Sequence, residues 1–353
     1  MKLIHCADLH LDSPMESNLS AEKARERKSE LRASFARMLR FADENGVAAI
    51  LIAGDLFDSN HITKSTEKYV LESVAAYPAI NFYYLAGNHD CGSAIKSADP
   101  RPDNLFLFDR AWTSYDLGEV TLTGSEAPDE DTLSLDPDRI NVVLLHGQET
   151  RGGAAREDVI RFSRLKNKHI DYVALGHIHD YRCTKIDARC TACYAGCLEG
   201  RGFDECGTKG FVLLETDGKK ITHRFIPHAT RTMHTVACDV GEITSQLQLE
   251  ERALAVTDAI PAKDMIKLVL TGDTDADTVF DTAHLCHLLS ERFYFAKIKN
   301  ETHLSIRPED YQNDVSLKGE FVRRVMASDL REEEKLRVIA CGFRALSGEE
   351  LGL

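Results

Sequence analysis

The stretch ILIAGDLFDSN, residues 50–60, joins an aliphatic run to Gly54 and Asp55, with Asp58 three residues further on. Ile50, Leu51 and Ile52 read as a strand buried on both faces. Burial gives such a strand no reason to end on an acid. Asp55 is therefore an ordinary loop residue or a group held at a strand tip for chemistry. The chain answers by repetition. The strand in MKLIHCADLH ends on Asp8 and His10, and INFYYLAGNHD ends on Asn88, His89 and Asp90. INVVLLH ends on His146, and IDYVALGHIH ends on His177 and His179. Gly54, Gly87 and Gly176 each precede a residue of this kind, where the backbone must turn sharply.

Carboxylate, amide and imidazole ligands suit divalent first-row metals, and the absence of cysteine at these tips disfavours a structural zinc site. Asp8, His10, Asp55, Asn88, His146, His177 and His179 are more ligands than one ion needs. They suit two ions sharing a carboxylate, and Asp55 is the natural bridge. Two ions ~3.5–4 Å apart can activate a water and clamp the attacking and leaving oxygens at phosphorus. Taken singly, Asp-x-His is usually a surface pair and Gly-Asp usually a turn. Five such tips in order, each directly after a strand, leave the accidental reading far behind.

The rest of the chain fits a layered fold. Residues 21–45 form a helix with Leu31, Phe35, Met38, Leu39 and Ala42 on one face, stopped by Asn45-Gly46. A second helix falls at 63–76, and strands at 104–108, 119–124, 140–146, 170–176, 181–186, 210–216 and 220–226. The expected fold class is α/β, with two mixed sheets sandwiched between helices in four layers and a smaller α+β domain after them. The expected domains are 1–230 and 231–353, with a strand at 264–271, a helix at 276–292, a strand at 293–298 and helices at 317–327 and 330–346. The 353 residues, 43% hydrophobic and 28% charged, suit two domains of an ordinary globular protein. No apolar run is long enough to span a bilayer, and the N-terminus does not read as a signal peptide, so the chain is read as cytoplasmic. A net charge of −14 argues against a protein that coats nucleic acid over its whole surface.

DLH, GDLFD, GNHD, the isolated His146 and GHIH together resemble the five motifs of the calcineurin-like metallophosphoesterases. DLHLDSP at 8–14, GNHD, GRGFDE at 200–205, GTKGFVLLE at 207–215 and SLKGEFVR at 316–323 resemble its DNA-repair exonuclease branch, of the SbcD and YhaO type. The resemblance implies a first metal held by Asp8, His10, Asp55 and His179, and a second by Asp55, Asn88, His146 and His177. It implies manganese as the usual ion, with iron, magnesium or zinc as alternatives. His89 matches the catalytic histidine, which is not a ligand. Asp90 is read as orienting it, with a plain loop cap as the alternative. Asp58 is read as bonding a ligand histidine or a backbone amide. The function implied is that of a DNA exonuclease in double-strand break repair or end processing, with single-strand endonuclease cutting as an additional activity. Small phosphodiesters, nucleotides or phosphoproteins are the alternative substrates, and a non-catalytic DNA-end-binding subunit is the third reading. The implied partners are DNA, an SbcC-like coiled-coil ATPase and a second copy of the chain, with no membrane, and the C-terminal domain would be a cap.

Other features are weighed separately. Arg151, Arg156, Arg161 and Arg164 follow the His146 loop and could line a DNA groove or a solvated helix face. Cys183, Cys190, Cys193, Cys197 and Cys206 cluster with a CxxC at 190–193, but without a second matching pair they are expected as reduced, partly buried thiols rather than a zinc site.

Overall fold

The computed structural model describes residues 1–15, 19–58, 62–90, 94–150, 159–275, 278, 280–305 and 307–346. The chain divides into two compact units, Met1–Met233 and His234–Leu353. In chain order the first unit contains β1 (Lys2–Cys6), α1 (Ala21–Glu44), β2 (Ala49–Ala53), α2 (Lys64–Ala75), β3 (Asn81–Leu85), α3 (Ala94–Ser97) and β4 (Leu105–Leu107). It continues with β5 (Thr113–Asp116), β6 (Val120–Gly124), β7 (Ile140–His146), β8 (Gln148–Glu149), β9 (Val159–Ile160), α4 (Phe162–Leu165) and β10 (Tyr172–Gly176). It closes with β11 (Arg182–Lys185), β12 (Thr191–Tyr194), β13 (Gly210–Thr216) and β14 (Ile221–Pro227).

These strands make two six-stranded mixed sheets, ordered β14-β13-β1-β2-β3-β4 and β11-β12-β10-β7-β6-β5. In the first sheet β1 to β4 run parallel, and in the second β6, β7, β10 and β12 do. Side-chain alternation then sorts the core into layers. Leu3, Ala49, Leu51, Ala53, Tyr83 and Leu85 of one sheet meet Leu122, Val142, Leu144 and Ala174 of the other. The opposite face of the first sheet, with Ile4, Ile50, Ile52 and Phe82, packs on Leu31, Phe35, Met38 and Leu39 of α1 and Val70 and Val74 of α2. Ser20 caps α1, its side chain accepting from the Lys23 amide at 3.3 Å, and Gly46 takes φ +64 just past its end. The outer face of the second sheet is covered, among the described residues, by the short α4 and the 3₁₀ turn Glu130–Thr132 rather than by long helices.

The two mixed sheets with helices agree with the sequence reading. Seven described strands escaped it. β5 (TSYD) is a polar edge strand, β12 (TACY) is short and lies among the cysteines, and β15 (Met233–Asp239) begins just past the expected boundary. The other four are β8 and β9, of two residues each, and the three-residue strands Asp273–Asp275 and His303–Ser305.

The second unit has its own sheet, β15-β16-β18, with β16 at Met265–Thr271 and β18 at Phe295–Asn300. Two helices, α5 (Gln246–Val256) and α6 (Thr282–Arg292), pack against it through Leu249, Leu285 and Leu289. A parallel pair, β17 (Asp273–Asp275) and β19 (His303–Ser305), lies beside them in sequence, and α7 (Leu317–Met326) and α8 (Glu332–Leu346) share a separate cluster of Val322, Val325, Ile339 and Phe343. The α6 helix starts at Thr282, later than expected, because Asp281 caps it. Among the described residues no helix is long and apolar enough to cross a membrane.

One buried ion pair ties the segment after β12 to α1. Arg27 and Glu199 are almost fully buried, 3.4 Å apart, and Arg27 also donates to the Gly200 carbonyl at 2.9 Å. Glu199 accepts from the Ser34 hydroxyl and the Thr230 amide. Arg27→Met should leave Glu199 buried with only Arg37, 3.8 Å away, as a charged neighbour. We expect a loss of about 3–5 kcal/mol, read from urea unfolding. A loss under about 1 kcal/mol would show that Arg37 takes over the pairing.

Candidate metal centre

β1, β2 and β3 of one sheet and β7 and β10 of the other end on the same side, so their polar tips converge. The turns there are sharp. Asp8, His10, Asp55 and His177 take φ values of +51, +45, +50 and +97, a region that non-glycine residues enter rarely and at functional sites. Two glycines permit the close approach. A Cβ on Gly54 would overlap the His146 ring, and one on Gly87 would overlap the Asp55 carboxylate.

Two overlapping sets of ligand atoms result, each within 4.8 Å: Asp8, His10 and His179, and Asp8, Asp55 and His146. Asp8 is the member common to both. Asp55 borders both as well, its Oδ2 lying 3.4 Å from His146 Nε2 and 4.0 Å from His10 Nε2. The Asn88 Oδ1 stands 2.8 Å from His146 Nε2 and 3.4 Å from His177 Nδ1, which brings these two residues to the second set. All seven ligand candidates read from the sequence are therefore gathered in one place.

The chemistry of the donors argues for cations. His146 Nδ1 donates to the Ala53 carbonyl at 2.9 Å, which leaves a lone pair on Nε2 in the neutral ring. That lone pair faces the oxygens of Asn88 and Asp55. His179 Nδ1 donates to Glu205 Oε1 at 2.6 Å, so its Nε2 lone pair faces His10 Nε2, 3.4 Å away. At His146 an acceptor is thus aimed at acceptors, which need an electrophile between them. Without a metal, a proton takes that place. Burial pulls the His146 pKa down, but the hydrogen bond and charge of Asp55 and the charge of Asp8 overcome it and raise it to about 9. Burial likewise opposes ionisation of Asp55, yet His146 and His10 hold its pKa down to about 2. Burial raises Asp8, against the pull of His146 and His179. Divalent ions fit this donor set, which is hard and lacks thiolates.

The surrounding groups orient the imidazoles. The Asp58 Oδ1 lies 3.0 Å from His10 Nδ1, off the line of a well-formed hydrogen bond. Asp12, left without a role by the sequence, accepts from the Asp58 amide at 2.7 Å. Asp90 is nearly fully buried, and its carboxylate accepts from the amides of Leu56, Phe57 and Gly87 at 3.2, 3.0 and 2.9 Å. It braces the two loops against each other, and burial pushes its pKa up to about 6. The His89 ring instead meets the Asp58 carbonyl at 3.1 Å through Nδ1, and its amide donates to Asp55 Oδ1 at 3.1 Å.

Two further residues, Arg201 and Glu205, stand out that the sequence reading left without roles. The Arg201 guanidinium donates to Asp58 and to Glu205 Oε1, its backbone amide donates to Glu205 Oε2, and its second terminal nitrogen lies 3.3 Å from His179 Nδ1. One arginine thus joins the two carboxylates that back His10 and His179. GRGFDE marked this segment as part of the resemblance without saying what it does. A cleft of about 270 Å³ opens beside it, lined by Ser13, Met15, Asp58, Arg201 and Glu205.

Other expectations come out differently. Arg164 pairs with Asp131 at 2.7 Å and Arg161 lies 3.9 Å from Glu130, so both are shared with acids. Arg151 and Arg156 lie outside the described residues. The expected reduced thiols need one correction. Cys183 and Cys193 are directly opposite across β11 and β12, with Cα atoms 4.1 Å apart, and form a disulfide. Cys190, Cys197 and Cys206 form no disulfide. The CxxC pair does not converge, because Cys190 packs on the outer face of its sheet and Cys193 on the inner.

Residues 1–181 match the family model described as calcineurin-like phosphoesterase. The chain is 25% identical over 297 residues to an uncharacterized metallophosphoesterase, YhaO, of Bacillus subtilis, covering 77% of this chain and 72% of that protein. It is 25% identical over 270 residues to the DNA double-strand break repair protein Mre11 of Sulfurisphaera tokodaii, covering 70% and 68%. It is also 25% identical over 309 residues to SbcD, a component of the nuclease SbcCD of Escherichia coli, covering 70% and 74%.

Arg201→Ala should release Asp58 and Glu205 together. We expect about 10–100-fold weaker binding of the ion at His10 and His179, with the ion at His146 retained. Chelator competition measured on both ions checks this. Equal loss at both would show a general collapse of the segment instead.

Proposed function

This chain belongs to the calcineurin-like phosphoesterase family, and on that premise we propose that it is a two-metal phosphodiesterase that cuts DNA, acting as an exonuclease at broken or processed ends. The observation that carries the reading is the convergence of ligand atoms from four strand tips on two overlapping sets, with Asn88 of a fifth tip against His146. Asp8, His10 and His179 would hold one divalent ion, and Asn88, His146 and His177 the other, with Asp55 shared. Manganese suits these oxygen and nitrogen donors, and iron, magnesium and zinc are the other occupants to test. Bound there, the ions supply positive charge at phosphorus and a water that gives up its proton near neutral pH.

The chain's own residues supply orientation and a proton. Asn88 brings a neutral carbonyl, which limits the negative charge of its half of the site. The 3.1 Å contact between His89 Nδ1 and the Asp58 carbonyl puts a proton on Nδ1. A ring fixed this way works through Nε2, which in the imidazolium form donates to the oxygen leaving phosphorus or to the charge building on it. The bond from the His89 amide to Asp55 Oδ1 keeps that ring in register with the metal-binding carboxylate. Asp90 serves this arrangement through the loop backbone.

DNA as substrate is drawn from two relatives, one named for double-strand break repair and one named a nuclease. The name of the second, a subunit of SbcCD, motivates an SbcC-type ATPase as partner, with the unit His234–Leu353 as a cap over DNA. Arg161 and Arg164 already serve Glu130 and Asp131, so they enter as weak contributors to phosphate binding. Small phosphodiesters remain the second reading, because the same centre serves them.

His89→Ala should lower hydrolysis by about 10²-fold or more while both ions stay bound. The assay uses Mn2+ with end-labelled linear duplex DNA and, in parallel, a chromogenic phosphodiester. Turnover of the chromogenic ester without DNA cleavage would favour the second reading. Loss of metal along with activity would make His89 a ligand and overturn its role here.

A further inference from the structure

The phosphoesterase reading makes no use of Cys183, Cys193 or His223. The two cysteines face each other on the hairpin that edges the second sheet. Cys193 lies in the core between the sheets, and Cys183 packs on its rim. The third residue comes from the first sheet. Alternation along β14 places Ile221, His223 and Phe225 on one face, and Ile221 and Phe225 pack against that same core. His223 therefore looks across the open side of the sandwich. One of its ring nitrogens lies within 4.8 Å of both sulfurs.

We propose that, once reduced, Cys183, Cys193 and His223 form a binding site for a thiophilic divalent cation of the zinc type, separate from the phosphoesterase centre. Two thiolates and an imidazole are a soft donor set that selects such an ion and rejects magnesium or calcium. This inference is independent of the substrate reading above. His223 is exposed and Cys183 half-buried, so the ion can enter and one coordination position faces solvent. Partial desolvation lowers the His223 pKa and favours the neutral ring, the form that coordinates. The donors stand on β11, β12 and β14, which are strands of two different sheets, so the ion would fasten the sandwich along its open side.

The disulfide and the ion are alternatives, because both use the same two sulfurs. Opening the disulfide consumes two electrons and two protons from a small dithiol. A thiolate of the dithiol attacks one sulfur, the bond between Cys183 and Cys193 breaks, and the dithiol closes into its own disulfide. Binding of the ion then displaces the two thiol protons.

The test uses the full chain, reduced with a dithiol under argon, freed of it and titrated with Co2+. Only a thiolate ligand gives a sulfur-to-cobalt charge-transfer band, so the phosphoesterase centre is silent in this readout whatever it binds. We expect the band to saturate at an amplitude of one thiolate-bound cobalt per chain, however much the phosphoesterase centre takes up, and to vanish in Cys183→Ser and in Cys193→Ser. His223→Ala should bind at least about tenfold more weakly. Oxidised unsubstituted protein, which needs no mutation to fold, should show no band. The proposal is overturned if reduced protein shows no band or if the dithiol cannot open the pair. It is equally overturned if the band survives both serine variants, since Cys190, Cys197 or Cys206 would then be its source.

Discussion

Two buried carboxylates held close together dominate the first unit. Asp8 and Asp55 are each about as buried as a core leucine, and they stand among imidazoles whose lone pairs point the same way. Negative charge so concentrated and so dry is unstable without positive charge beside it. Among the described residues, the positive charges that act on them are those of His146 and His179 at Asp8 and of His146 and His10 at Asp55. Such histidines take up protons when no metal is present and coordinate when one is.

The surrounding structure follows from this constraint. Parallel strands deliver the ligands, since their C-terminal ends lie on one side of each sheet. The left-handed turns at Asp8, His10, Asp55 and His177 bend the chain back as soon as it leaves the strands, at a cost the packed core must cover. Each imidazole is then steadied from behind, His146 by the Ala53 carbonyl and His179 by Glu205. Glu199 and Arg27 anchor the segment that carries Arg201 and Glu205 to the longest helix of the unit.

The candidate ligands could be picked out in the sequence because each is the polar end of an aliphatic run, and an acid or imidazole there has no packing reason to exist. The two central sheets were legible for the same reason. Arg201 and Glu205 were not, because they lie on an irregular connection whose local pattern says nothing about which side chains it meets. Asp90 looks the same in sequence whether it faces a ring or three amides, and only the loop geometry separates the two. The Cys183–Cys193 bond depends on the register of a hairpin whose second strand, TACY, is too short to be recognised by period. The spacing of Cys190 and Cys193 suggested a pair that the pleat sends to opposite faces.

The ligands are drawn from both sheets, three tips from one and two from the other. Stacked sheets meet only through side chains, and nothing in their hydrogen-bonding prevents one from sliding over its neighbour. Here such a slide would pull His146, His177 and His179 away from Asp8, His10 and Asp55. A centre of this kind tolerates displacements of only about 0.5 Å. Shear stiffness of the sandwich is therefore part of the reactive apparatus, and the methyl groups of Leu51, Ala53, Leu144 and Ala174 in the middle layer act on the chemistry as surely as the ligands do.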